Sequence, residues 1–78
     1  MKLPRLSGKE IIKVLEKEGF IHTRTRGDHA SLHKSREGKT LLVVVPLWKE
    51  IKTGTLLSVI KQAGYTRNEF LVLVDKYL

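Results

Sequence analysis

The sequence predicts an α+β fold: one helix, a three-stranded antiparallel meander, and further helices packed on one face of the sheet. Three observations carry that expectation. The segment Ser7–Gly19 repeats its apolar residues at helical spacing, whereas Phe20–Arg26 and His29–Lys34 alternate with a period of two, and Thr40–Val45 is a β-branched run. The three strand-like segments are consecutive and joined by short turns, which leads to antiparallel neighbours. Everything after Pro46 returns to helical periodicity, and segregated helices and strands favour helices stacked on one sheet face.

Taken in order, Ser7 and Glu10 have the S-x-x-E spacing of a capping box, and Leu6 is placed to staple onto Ile11. Ile11, Ile12, Val14 and Leu15 form the apolar face, with Lys9, Lys13 and Lys17 toward solvent. Gly19 is placed to end this helix in the left-handed region.

Gly27-Asp28 then reads as a two-residue hairpin loop, with glycine first as a type II′ turn requires. With that loop, Arg26 faces His29, Arg24 faces Ser31 and His22 faces His33, so all six side chains share one face. Ile21, Thr23, Thr25, Ala30 and Leu32 fall on the other, against the helices. Ser35–Gly38 is a turn. Pairing Lys34 with Lys39 sets Leu32 beside Leu41 and Ala30 beside Val43. Leu42 and Val44 then join the histidine face, with Val44 opposite His29. An exposed apolar strip beside basic groups is a candidate protein interface; cover by the Pro46–Thr53 loop is the other reading.

A second helix is expected from Gly54 to Ala63, closed by Gly64. Thr66 and Glu69 repeat the capping-box spacing and open a short C-terminal helix with Phe70, Leu73, Val74 and Tyr77 on its apolar face.

The chain has 78 residues, room for a single domain spanning 1–78. Its 15 Lys and Arg against 8 Asp and Glu give a net charge of +7. Such a charge favours a polyanionic partner, most simply nucleic acid; a solvated basic surface with no specific partner accounts for the charge equally well, and an anionic membrane would want a long basic amphipathic helix. With no cysteine there is no disulfide framework, thiolate metal site or cysteine nucleophile. The N-terminal MKLPRLSGKE lacks a signal-peptide core and no segment has the length of a membrane span, so a cytoplasmic protein is expected.

The histidines then have to be explained. His29 and His33 stand four residues apart on a strand, roughly 13 Å, too far to share a metal ion. No third ligand accompanies His22 and His33, so a metal site is not expected. Imidazole beside guanidinium groups suits a different chemistry. RNA cleaved by its own 2′-OH needs a base, an acid and positive charge on the phosphate. Histidine populates both protonation states near neutral pH. Arg24, Arg26 and Lys34, with His33, are candidate phosphate contacts, and Lys52 and Lys61 could extend the track. A plain RNA-binding module accounts for the same residues without catalysis.

Two segments add a resemblance. GFIHTRTRGDHASLHK resembles the Gly-Phe, strand and G-S-H pattern of the HicA (YcfA-like) toxins, and VVVPLWKEIKTGTLLSVIKQAGYTRNEF resembles their second half, with P-x6-TGTLxxxIKQAG in the right place. The resemblance implies a double-stranded-RNA-binding-like α-β-β-β-α fold and an mRNA interferase, inhibited by a HicB-type antitoxin in a hetero-oligomeric complex. It implies His29 as the catalytic histidine, an antitoxin that covers that region, and no metal or organic cofactor; the apolar strip of Leu42 and Val44 on the same face is then the candidate antitoxin interface. One departure stands out: Asp28 occupies the position where the family usually has Ser or Gly. A carboxylate there is placed to orient His29 and favour its imidazolium form, and also to repel an incoming phosphate. The alternative to the toxin reading is a non-catalytic RNA-binding or protein-interaction module on the same fold.

Overall fold

The computed structural model describes residues 3–78; Met1 and Lys2, the first two residues of the segment read above as lacking a leader, lie outside it. The order is α1 (Gly8–Lys17), β1 (Ile21–Arg26), β2 (His29–Arg36), β3 (Lys39–Pro46), α2 (Thr53–Gln62) and α3 (Arg67–Tyr77). The sheet is antiparallel with strands in the order β1-β2-β3, so the α+β meander expected from the sequence is present. Among the described residues no helix is long and apolar enough to cross a membrane.

Local chemistry sets the boundaries. Both capping boxes form: Ser7 Oγ accepts from the Glu10 N–H at 3.1 Å, and Thr66 Oγ1 does the same for Glu69. Each glutamate reaches back to the cap residue's own N–H. Two orphan donors at each helix start are thereby satisfied. α3, the additional C-terminal helix expected from the sequence, is 11 residues long, against 10 each for α1 and α2.

One core joins these elements. Ile11, Val14 and Leu15 of α1, Leu56, Val59 and Ile60 of α2, and Phe70 of α3 meet Ala30, Leu32, Val43 and Val45 of the sheet. All four strand residues point to the same face, so the helices cover one side and leave the other open. Leu6 and Ile11, the expected staple pair, are both buried.

The registers correct the sequence reading in two places. Between β2 and β3 the loop is only Glu37-Gly38, both at positive φ (51° and 77°). Such a pair is the mark of a type I′ turn, whose twist matches that of the flanking strands. Arg36 therefore pairs with Lys39, and Lys34 pairs with Leu41 rather than Lys39. The whole strand shifts by two, which preserves every facing but changes the neighbours. Leu32 lies beside Val43, Ser31 beside Val44, and His29 beside Pro46 rather than Val44.

The second correction lies in β1. Arg26 pairs with His29 and Arg24 with Ser31 as expected, and positive φ at Gly27 but not at Asp28 fits the II′ loop. A bulge then falls between His22 and Arg24, leaving Thr23 without a partner. Beyond it His22 opposes Leu32 and Ile21 opposes His33, so these two residues have exchanged faces. Nor do the helices cover β1: all six of its residues are exposed, because the core centres on β2 and β3.

Candidate nucleic-acid interface

The open face of the sheet is organised in rows across the strands. Arg26, His29 and Pro46 form the row next to the Gly27-Asp28 turn; Arg24, Ser31 and Val44 form the next; Ile21, His33 and Leu42 form the third. Positive charge thus sits at the turn end, and the exposed apolar residues, Ile21 and Leu42, sit at the other. Ile21 is 66% exposed and Leu42 50%, a surface pair on either side of His33. Val44 is half-buried, and its backbone N–H donates at 3.0 Å to the Gln62 side chain of α2, which occupies that point of the β3 edge.

The turn end holds the candidate catalytic histidine. His29 Nδ1 lies 2.8 Å from Asp28 Oδ1. The other carboxylate oxygen, Oδ2, accepts from the Trp48 indole N–H at 3.1 Å. An ionised carboxylate offers only lone pairs, so Nδ1 must carry the proton at this distance. That leaves Nε2 as the free nitrogen, able to accept a proton in neutral imidazole and to give one back as imidazolium. Trp48 closes the group: its ring meets the imidazole edge to face, centroids 6.5 Å apart at 73°. The backbone holds the two segments together as well, with the Leu47 N–H donating to the Asp28 carbonyl at 2.6 Å.

The Asp28 carboxyl is held below its ordinary value of 3.8. The Trp48 hydrogen bond is the largest cause and the His29 imidazole adds to it, against a partial loss of solvation. The sign follows. A depressed carboxyl contributes stabilisation that is fully present above 3.8 and lost as pH falls through the lower value of the folded state. Emission from Trp48, the one tryptophan, should therefore titrate with a midpoint below 3.8, and Asp28→Asn should remove that transition. A midpoint at or above 3.8 would show that the indole does not hold the carboxylate in solution.

The remaining candidates separate. Arg24 and Arg26 lie on the His29 face, exposed, with no carboxylate partner among the described residues. His33 shares that face, and its Nδ1 contacts the Thr23 hydroxyl at 2.6 Å, an arrangement the bulge creates. His22 lies on the far face with its Nε2 2.8 Å from Thr25 Oγ1. Lys34 departs from the expected phosphate role. Its position in β2 aims it at the helices, where the ammonium donates to the Glu18 carbonyl beyond α1 at 2.6 Å and sits over the Phe20 ring. It caps a helix end and is engaged there. Lys52 and Lys61 are exposed at the start and end of α2.

Among the described residues no three His, Cys, Asp or Glu side chains converge as metal ligands. A pocket of about 310 Å³ lies elsewhere, lined by Glu18, Tyr65, Glu69, Val72 and Leu73. Its two carboxylates suit it poorly to a phosphate backbone. Trp48 and Thr23 are the neighbours of the candidate histidines that sequence reasoning misses. The only available hint is that the chain's one tryptophan falls in a loop rather than in a helix or strand.

A family model for the HicA toxin of bacterial toxin–antitoxin systems matches residues 8–65. The chain belongs to the HicA toxin family. No curated protein and no solved structure matches it. Membership makes the chain a toxin of a toxin–antitoxin system, and an antitoxin is its expected partner. The matched region of this HicA chain runs from the first residue of α1 to Tyr65, so it contains His29, Asp28, Trp48 and the entire sheet.

Proposed function

We propose that this HicA-family toxin is an endoribonuclease that binds and cleaves mRNA in the cytoplasm, with His29 as its proton-transfer group. The observation that carries the reading is the geometry of His29: half-exposed at the basic end of an open sheet face, Nδ1 against Asp28, Nε2 free. Nε2 takes the proton of the ribose 2′-OH, and the oxygen attacks the adjacent phosphorus as the bond to the 5′-oxygen breaks. A proton returned to that oxygen completes the step, leaving a 2′,3′-cyclic phosphate and a 5′-hydroxyl. Arg24 and Arg26 supply positive charge to the pentavalent phosphate. His33, further along the face, contacts the RNA backbone. A HicB-type antitoxin inhibits by covering this face, with Ile21, Leu42 and Val44 as its apolar footing.

A second reading has its own support. The Asp28 carboxylate stays ionised beside His29 and repels an approaching phosphate, which suits a module that binds RNA without cutting it. Incubation of the purified chain with end-labelled RNA separates the two. The expected result is fragments ending in 2′,3′-cyclic phosphate, and none from a fully 2′-O-methylated strand of the same sequence. Cleavage of the methylated strand would exclude the 2′-OH route. Binding without cleavage of either strand would favour the module.

A further inference from the structure

Trp48 is the one tryptophan of the chain and, at 37% exposure, the most exposed of its phenylalanine, tyrosine and tryptophan rings; Phe20 and Phe70 are buried, and Tyr65 and Tyr77 are half-buried. A tryptophan is the most costly side chain to leave in water, and a domain this small has few large apolar groups to spare from its core. Its position is nonetheless closely fixed. On one side of it Pro46 ends β3 and the Leu47 N–H is bonded to the Asp28 carbonyl. Its own carbonyl accepts from the Gly8 N–H at the start of α1 at 2.9 Å, and three residues on the Ile51 N–H is bonded to the Leu6 carbonyl at 2.8 Å. The indole N–H, the ring's single polar group, is already donated to Asp28. What this loop presents to solvent is an aromatic surface with no unmet hydrogen-bonding demand, held in place before any ligand arrives.

We infer that Trp48 is a stacking platform for an unpaired nucleobase, and that it selects single-stranded RNA at the His29 site. This rests on the reading of that face as an RNA interface. Stacking on an indole is tolerant of base identity but needs a base face released from its own neighbours, which a duplex does not offer. The platform also stands where it is useful. Its ring centroid is 6.5 Å from that of His29, so a nucleotide stacked on Trp48 has its sugar and phosphate beside the imidazole. Arg26 flanks the same row, and the exposed Lys49 follows Trp48 in the loop. Charge holds the backbone while the indole holds the base. The carboxylate of Asp28 then has two roles, orienting the imidazole with one oxygen and the platform with the other.

The probe is an uncleavable 2′-O-methyl hexanucleotide, titrated as a single strand and as a blunt duplex. Because the chain has one indole, its emission reports on this position alone. The expected result is saturable quenching by the single strand and little by the duplex. Anisotropy of the labelled strand then compares variants: Trp48→Leu should weaken binding about ten-fold or more, whereas Trp48→Phe, which keeps a ring but loses the bond to Asp28, should stay within about three-fold of wild type. Urea unfolding of both variants guards against a folding artefact, since a loss confined to a folded Trp48→Leu is the informative case. Binding without quenching, equal quenching by the duplex, or wild-type affinity in Trp48→Leu would each overturn the platform. So would emission that responds only to the antitoxin, which would make Trp48 a protein contact. If the strand quenches Trp48 but unmodified RNA is not cut, the ribonuclease reading fails and the platform stands.

Discussion

His29→Ala should lower the rate of RNA cleavage by about 10²- to 10⁴-fold, the range that one positioned acid or base supplies. The geometry explains why the loss should be confined to the chemical step. The His29 side chain is half-exposed and contributes nothing to the core, so the fold has no reason to change. Arg24 and Arg26 remain on the same face, so RNA affinity should stay within a few-fold. Initial rates on end-labelled RNA, with urea midpoints and binding measured on the same preparations, make the comparison. Equal rates would remove His29 from the mechanism. If neither protein cuts RNA but both bind it with a steep salt dependence, charge neutralisation is all this face does. Asp28→Asn is the useful companion, because an amide can still approach Nδ1 but no longer demands a proton there. A fall in rate smaller than that of His29→Ala, with affinity unchanged or improved, would identify Asp28 as a positioning residue whose negative charge opposes the phosphate.

Much of this arrangement is legible in the sequence, and the exceptions have physical causes. The capping boxes are local hydrogen-bond motifs, so Ser7/Glu10 and Thr66/Glu69 mark their helix starts without reference to anything distant. The facing of β2 and β3 is readable for another reason. Alternation has a period of two, so a register error of two residues leaves His29, Ser31, His33, Leu42 and Val44 on one face although each pairs with a different neighbour. The error itself arose at Glu37, since a glutamate at positive φ carries no sequence signal of a tight turn. The bulge at Thr23 is illegible for the same kind of reason: nothing in IHTRTR distinguishes a bulged threonine from a paired one. Yet it moved His22 off the face and brought Ile21 onto it. Lys34 shares its facing with Ala30 and Leu32, so the same alternation directs its ammonium toward the end of α1. Trp48 is illegible as a site residue because its partner, Asp28, is twenty positions away, and nothing local in the Pro46–Thr53 loop marks that pairing.

Gly8→Ala should destabilise the domain by about 3 kcal/mol, at the upper end of what overpacking costs. Intrinsic preference points the other way, since alanine is the better helix former by up to about 1 kcal/mol. Space decides the sign. Gly8 is buried at the first position of α1, and a Cβ built there would lie 2.0 Å from the Pro46 carbonyl oxygen and 3.0 Å from Leu47 Cα. Both are backbone atoms, so no side chain can rotate away. Either α1 lifts off the sheet or the Pro46–Trp48 segment moves. The second outcome breaks the Gly8 N–H bond to the Trp48 carbonyl and draws the indole from Asp28, so the fold and the functional face should fail together. Urea unfolding reads the first loss. Trp48 emission below the unfolding transition reads the second, as a shift in the native baseline. Gly54→Ala is the matched control: it lies in the first turn of α2 with nothing within 4 Å of the added carbon and no positive φ. It should be neutral or stabilising by up to about 1 kcal/mol. Wild-type stability in Gly8→Ala would mean that α1 does not rest on the loop carrying Trp48. The glycine at the start of α1 would then have no part in positioning the residues around His29.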